Sequence, residues 1–443
     1  MKSNGKCCLP MKRYLVLVPV LFALLLSCSK ETVAPEVSAN NAIKFNITPV
    51  LQTDDPEVKA VKTGWENGDA IFLFFDVVAS PQYLKMVYDG SQWNYTSMNG
   101  SSAGAWSSQP STTGNFAAIY LPFGSSATLK KGDTEETKEH FYFSTTYRSY
   151  YLAGGSTYHY DNGVVTASVS LSVPANFVQF FVKANSPLSG SYKLGTDAVK
   201  PVELLGIRPD KTSPGIYGNC FAVIEEDLAY GGYLPGYAYG GGYLFSGVRN
   251  TAYAYSTNFY FSLSNSAGTS RSDLFVTGQT LSSHSAVKLP DLGNSRWIPV
   301  GAGLTVSMGA KHGVWYTCNY GASKPEDLGT DVTQTAAKDA LVNPQQLLSK
   351  ARLDALVADI STVTWTPMSV HGKPGVVAKC GSGFLFFPTY VMDGSTPTAN
   401  NLDYWCAEEA ESTQANVLHI TTSGTVSAGL QDKTNSNSVR FVQ

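Results

Sequence analysis

The chain has 443 residues, of which 15% are charged, with 31 Lys and Arg against 34 Asp and Glu for a net charge of −3. That balance is spread along the chain and excludes an electrostatic nucleic-acid binder, which gathers its basic residues on one face. Low charge combined with 25 Tyr, 21 Phe and 40 Gly is the composition of exported β-structure rather than of a cytosolic enzyme.

Met11, Lys12 and Arg13 lead into an apolar run from Tyr14 to Leu26, followed by Ser27 and Cys28. The run is shorter than the ~20 residues a spanning helix needs, and a small residue before a cysteine suits cleavage and acylation there. Residues 1–28 are therefore expected to be a signal peptide with a lipobox, Cys28 being the lipidation site and the first residue of a lipid-anchored mature chain. A start at Met11 would leave Cys7 and Cys8 without function. Residues 29–41 are polar and bury little, so they are expected to act as a tether.

Short strands follow in succession. Ile43, Phe45 and Ile47 alternate with polar residues, and IFLFFDVV at 71–78 is apolar on both faces. Asp89-Gly90 lies between the aromatic-rich runs of 83–96, where glycine supplies the positive φ of a tight hairpin turn. FAAIYLPF (116–123), VTASVSLSV (165–173), FVQFFVKA (177–184), CFAVIEE (220–226), NFYFSLS (258–264) and DLFVTGQ (273–279) continue the pattern. Recurrent strands with turn signals and almost no helical periodicity predict a mainly β protein: an antiparallel β-sandwich over 42–175 and a second over 176–292.

Between Ala229 and Ser256 the chain is so rich in Tyr and Gly that a loop or hairpin tip is expected. Tyr233, Tyr237, Tyr239 and Tyr243 are candidate ligand-binding residues, as stacking surfaces for sugar rings; equally, they could cover neighbouring strands. Trp405 has the same two readings, binding element or core.

The character changes near Ser295. Asn343, Pro344 and Gln346 match an N-cap, a first-position proline and a capping-box partner, so a helix is expected to start there. Leu353, Leu356, Val357 and Ile360 follow the spacing of a helix packed on one side. With strands such as GFLFFPTY (383–390) behind it, residues 293–443 are expected to form a small α+β unit. Cys220, Cys318, Cys380 and Cys406 make an even set in a compartment permitting disulfides, with Cys318, Cys380 and Cys406 the candidates for one bridge. Without Cys-x-x-Cys or a Cys/His cluster, neither a metal site nor a cofactor is expected.

GWENGDAIFLFF (64–75), with Trp65, Gly68 and Asp69 before a strand, resembles the Trp-x-x-Gly-Asp-x-Ile pattern of Bacteroidales fimbrillins, and FAAIYLPF resembles their later Ala-Ile-Tyr-Pro-type strand. The resemblance implies transthyretin-like sandwiches, a lipoprotein of the cell outer membrane, and assembly into a fimbrium (pilus). In that assembly a protease removes the first strand at a basic residue, and a strand from another fimbrial subunit fills the groove. Lys59 and Lys62 are the candidate processing positions; no arginine lies between Arg13 and Arg148, so an arginine-specific protease would find no site there. VWYTCNYGASKPEDLGT (314–330), YWCAEEAESTQANVLHI (404–420) and SVRFVQ (438–443) resemble the opening and closing patterns of a C-type-lectin-like, formylglycine-generating-enzyme-like module. The Glu-Pro-Asn, Gln-Pro-Asp and Trp-Asn-Asp triplets of calcium-dependent lectins are missing, so no calcium-bridged sugar site is expected, and no activated cysteine pair supports formylglycine chemistry.

The six histidines are scattered, and no His-Glu-x-x-His, Gly-x-Ser-x-Gly elbow or phosphate loop occurs, so the chain is not expected to be an enzyme. Two binding roles remain. One is a fimbrial subunit, a tip adhesin because the extra C-terminal unit occupies the place of a shaft subunit's donor strand; its partners would be other subunits and a host or bacterial surface glycan or protein. The other is a monomeric surface lipoprotein that captures glycans.

Overall fold

The computed structural model describes residues 44–51, 64–75, 82–98, 112–121, 129–131, 141–147, 152–172, 177–184, 190–201, 204–209, 221–223, 232–239, 241–253, 255–282, 285–359 and 361–443. Cys28, the tether, Lys59, Lys62, Cys220 and Ile360 lie outside the described residues. The fold is mainly β, built of antiparallel sheets with few helices, as the spacing of apolar runs and turns predicts.

The first part contains β1 (Lys44–Leu51), β2 (Ala70–Phe75), β3 (Gln82–Tyr88), β4 (Trp93–Met98), β5 (Thr113–Leu121), β6 (Leu129–Lys131), β7 (Phe141–Tyr147), β8 (Leu152–Asp161) and β9 (Val164–Leu171). Seven of them form one sheet in the order β1-β9-β8-β5-β2-β3-β4. Its neighbours are antiparallel except β1, which runs parallel to β9 from Lys44↔Val164 to Leu51↔Leu171. The period-2 pattern of VTASVSLS is realised in β9: Val165, Ala167, Val169 and Leu171 face the core while Thr166, Ser168 and Ser170 are exposed.

The expected hairpin joins β3 to β4. Gly90 has φ 96° and the Asp89 carboxylate accepts from the Ser91 and Gln92 amides (2.8 and 2.9 Å) and from Asn94 Nδ2 (2.7 Å). The Trp-x-x-Gly-Asp segment is a structural turn that starts β2. Asp69 accepts from the Glu66 amide (2.7 Å) and the Tyr120 hydroxyl (2.8 Å), and Gly68, at φ 93°, donates its amide to Tyr88 O (2.8 Å). Trp65 then lies edge-on to Trp93 (5.0 Å) and Tyr120 (5.5 Å), closing that end of the core.

The second part contains β10 (Phe177–Lys183), β11 (Tyr192–Gly195), β12 (Val199–Lys200), β13 (Leu204–Pro209), β14 (Phe221–Val223), β15 (Tyr233–Pro235), β16 (Tyr237–Tyr239), β17 (Gly242–Arg249), β18 (Asn258–Asn265), β19 (Arg271–Thr277), β20 (Ser285–Lys288) and β21 (Ile298–Pro299). One sheet has the order β12-β17-β10-β20 with β16 against β17, and the other β15-β11-β18-β19-β21. They enclose one core in which Phe180, Val182 and Phe245 of the first meet Leu194, Phe261 and Leu274 of the second. The Phe180 and Phe261 rings meet edge to face at 5.1 Å. The expected boundary at 175/176 is crossed by strand pairing: β13 pairs with β7 (Ile207↔Phe141), giving the sheet β14-β13-β7-β6.

The last part contains β22 (Thr305–Ser307), α1 (Gly309–His312), β23 (Val314–Tyr316), α2 (Gln334–Asp339), α3 (Lys350–Ala358), β24 (Val363–Val370), β25 (Lys373–Cys380), β26 (Gly383–Pro388), β27 (Tyr390–Asp393), β28 (Thr396–Ala399), β29 (Leu402–Glu409), β30 (Gln414–Ile420) and β31 (Val426–Asp432). The helix expected at Asn343 starts instead at Lys350, capped by Ser349, whose hydroxyl accepts from the Arg352 amide. Residues around Gln346 and Leu348 are drawn into β-bridges with Val442 and Cys406, a long-range pairing that overrides the local helix signal. Leu353 and Leu356 bury the inner helix face as expected.

Arg440, 2% exposed, holds this part together. Its Nε donates to Asn319 Oδ1 (2.7 Å), its two Nη groups to Thr317 O and Phe386 O (2.9 Å each), and its guanidinium lies 4.9 Å from the Phe387 ring centre. Burial pushes its pKa below the ordinary arginine value. Among the described residues Cys318, Cys380 and Cys406 are free thiols, with no bridge between any two of them. They sit in separate settings. Cys318 adjoins Thr317 Oγ1 (3.8 Å), Cys406 is buried among Leu348, Tyr404 and Leu418, and Cys380 ends β25 half-buried.

Candidate functional site

The strands β18 and β19 are apolar on both faces. Phe259, Phe261, Leu274 and Val276 point into the sandwich, leaving Tyr260 and Phe275 on the outer face. That outer face is covered by Val370, Val377, Phe384 and Phe386 of the C-terminal part, with Tyr260 edge-on to Phe384 (5.7 Å) and Phe386 (5.9 Å). Burying such a contact is favourable at about 25 cal/mol per Å² of apolar area, so the second sandwich and the C-terminal part are packed against each other through an apolar seam.

A charged lock completes the seam. Arg271 Nε and Nη2 donate to the two Asp273 oxygens (2.6 and 2.8 Å), and Nη1 donates to both Glu326 oxygens (2.7 and 2.8 Å). The Tyr260 hydroxyl donates to Asp273 Oδ2 (2.6 Å). Burial works against the Arg271 charge, but Asp273 and Glu326 outweigh it and hold its pKa well above the ordinary value. Burial likewise opposes the Glu326 charge, and Arg271 more than compensates, leaving that carboxyl below its ordinary range. The β24–β25 turn also packs on the sandwich, against β11 and β15. Gly372 donates its amide to both Asp197 oxygens (3.1 and 3.0 Å), and the His371 ring stacks on Tyr233 at 4.6 Å. Gly195 makes room for it, since a Cβ there would collide with the His371 ring.

The tyrosines singled out in the sequence are distributed by this packing. Tyr233 is engaged by His371, and Tyr243 is buried, donating to Gly190 O (3.1 Å) and packed 4.8 Å from Tyr192. Neither offers an open ring face. Tyr237 and Tyr239 pair along β17 through their backbones, and their side chains lie outside the description. Trp405 is 1% exposed, with Nε1 donating to Val332 O (2.7 Å), and is core rather than a binding surface.

What the Tyr-rich stretch does supply is its end. Tyr255 is 97% exposed, in the turn between Tyr253 and Ser256. Those two flanking residues line a cleft of about 400 Å³, whose opposite wall is Thr366, Met368, Ser369 and Thr422 of the C-terminal part. Burial raises the Tyr253 hydroxyl to about 12, where Ser369 hydrogen-bonds it. A second cavity, of about 520 Å³, lies by Tyr192, Arg271 and Trp297. Among the described residues no group of His, Cys, Asp and Glu is placed to hold a metal ion. The cleft was not legible beforehand because its walls come from segments over 100 residues apart; the outward Tyr260 and Phe275 were the local sign that something covers β18 and β19.

No protein-family profile matches the chain, and no curated protein matches it in sequence. Among solved structures, similarity is found to a candidate cell adhesion protein of Bacteroides ovatus, with 11% identity, covering 57% of this chain and 93% of the other, at a TM-score of 0.30. Candidate cell adhesion proteins of Bacteroides fragilis (12% identity, 58% and 96% covered, TM-score 0.32) and Bacteroides thetaiotaomicron (12%, 56% and 92%, TM-score 0.28) are similar to the same degree.

Proposed function

We propose that the chain is a lipid-anchored adhesion protein of the bacterial cell surface that enters a fimbrium by exchange of its first strand and occupies the tip. The observation that carries this reading is the position of β1. It is the terminal strand of its sheet, hydrogen-bonded to β9 alone over eight register pairs. Removing it would bare the β9 edge, and a strand from another subunit could re-form the same main-chain bonds. Lys59 and Lys62 follow β1 in sequence, where cleavage would release it.

The tip position is supported by the fate of the chain after the second sandwich. Residues 438–442 are consumed inside the C-terminal part, Val442 bridging to Trp315 and Gln346, so this segment is not free to serve as a donor strand. A monomeric glycan-capturing lipoprotein is the second reading, favoured by the cleft beside Tyr255.

The deciding experiment combines mass spectrometry of the surface-exposed protein with immunogold microscopy of intact cells, using antibodies against residues 60–290 and 295–443. A new N-terminus after Lys59 or Lys62 and label at fibre ends are expected. An uncleaved chain labelled only on the cell body would overturn fimbrial assembly in favour of the monomeric reading, and label along whole fibres would overturn the tip position.

A further inference from the structure

From the cleft between the second sandwich and the C-terminal part we infer that it is a binding site for a neutral saccharide, with Tyr255 as its aromatic platform. The inference rests on the reading of the chain as a surface adhesion protein and assigns that protein its ligand class and the place where it binds.

Four features define the site. First, no Lys, Arg, His, Asp or Glu lines it among the described residues. An anionic ligand would find no cation, and a metal ion no carboxylate. Second, its walls carry hydroxyl and amide groups with no protein partner: Thr366 and Thr422 through their hydroxyls and Asn258 through its side-chain amide make no hydrogen bond to another described residue. Open to water on this surface, these groups can exchange that water for a ligand that both donates and accepts, as sugar hydroxyls do and an ammonium, which only donates, does not.

Third, Tyr255 stands in the turn between the lining residues Tyr253 and Ser256 with 97% of its surface open. A wholly exposed ring gains nothing from folding, whereas it offers a flat apolar face to the C–H side of a pyranose. Fourth, the volume of about 400 Å³ falls within the roughly 300–1,000 Å³ of small-molecule sites, and the site lies at a junction between packed units, where such sites concentrate. The seam fixes the distance between the two walls, so the site is formed before the ligand arrives.

The test uses the mature chain on an array of galactose-, glucose- and mannose-terminated oligosaccharides together with their sialylated and sulfated counterparts, followed by calorimetry on the best neutral hit. Neutral oligosaccharides are expected to bind and acidic counterparts to bind no better. Tyr255→Ala is expected to weaken binding about tenfold or more, Tyr255→Phe by less than about threefold, and Thr366→Val by about threefold to tenfold. Because Tyr255 is exposed, neither of its variants should shift the melting temperature appreciably, which separates lost binding from lost folding.

Binding of acidic glycans only, binding unchanged in Tyr255→Ala, or binding of no saccharide on the array would overturn the site. Adherence of whole cells tells that failure apart from failure of the adhesion reading. If deleting the protein abolishes adherence but Tyr255→Ala leaves it intact, adhesion stands and this site falls. If deletion leaves adherence unchanged, the adhesion reading falls, and glycan binding by the purified chain still decides the site.

Discussion

Arg271 and Glu326, fifty-five residues apart, face each other across the seam with one guanidinium nitrogen donating to both carboxylate oxygens at 2.7 and 2.8 Å. Arg271 belongs to the second sandwich, through β19, and Glu326 to the C-terminal part, and Asp273 neutralises the remaining guanidinium edge. Breaking a buried pair by removing one member leaves an uncompensated charge at a cost of about 3–5 kcal/mol. Glu326→Ala and Arg271→Met should each lower stability by that order in urea. Because Tyr260 and Phe275 pack on the same seam, the second sandwich and the C-terminal part of the native chain are expected to unfold in one transition. Two resolved transitions in the native chain would sink the idea of a fixed seam.

Acid should loosen this lock. Glu326 is held below its ordinary range when folded, so between that value and about 4.3, the ordinary glutamate pKa, the unfolded chain binds the extra proton and stability falls with pH. Asp197 acts with the opposite sign, since burial raises its pKa and its contribution grows as pH falls. Comparing urea midpoints of the wild type and Glu326→Gln from pH 7 to pH 3 isolates the first effect. The variant should be less stable at pH 7, and the difference should shrink towards pH 3. A constant difference would remove Glu326 from the account.

Arg440 serves three oxygen acceptors on two segments, Thr317 and Asn319 on one and Phe386 on the other, and lies over Phe387. Lysine cannot reproduce that fork. Arg440→Lys is expected to destabilise by about 2–4 kcal/mol, since buried acceptors left without donors cost about 1–3 kcal/mol each. Chemical denaturation measures it, and a cost below about 1 kcal/mol would show that the fork is dispensable.

Two of the three described cysteines, Cys318 and Cys406, should behave as protected thiols. Burial pushes Cys406 up to about 12 and raises Cys318, disfavouring the reactive thiolate in both. Iodoacetamide labelling at pH 8, mapped by mass spectrometry, should modify the half-buried Cys380 in the native chain, and Cys318 and Cys406 only after denaturation. Failure of two of them to label in denaturant without reductant would reveal a disulfide.

Asp69 closes the turn that starts β2 by accepting from the Glu66 amide and the Tyr120 hydroxyl. Asp69→Ala leaves both buried or half-buried donors without this acceptor and should cost about 1–3 kcal/mol, read as a lower urea midpoint. An unchanged midpoint would remove these two Asp69 contacts from the account of the turn.

The sequence by itself determined what depends on neighbours along the chain. Alternation in VTASVSLS gave the buried face of β9, and Asp89-Gly90 gave the turn between β3 and β4, because a strand's sidedness and a tight turn's φ are settled within a few residues. The tertiary structure alone decided matters in which distant segments compete for the same group. Asn343 and Ser349 are both acceptable helix caps, and the pairing of Gln346 with Val442 excluded the first. Tyrosines of one Tyr- and Gly-rich stretch became a joint contact (Tyr233), a core residue (Tyr243) and an open ring (Tyr255), according to which partner the fold carried to each. Three cysteines with nothing local to distinguish them were kept as free thiols by a fold that sets each in different surroundings. The cleft itself is made of backbone segments that meet only when β18 and β19 acquire their second covering layer. Periodicity reports that a residue is covered, and which segment covers it is fixed by packing of the whole chain.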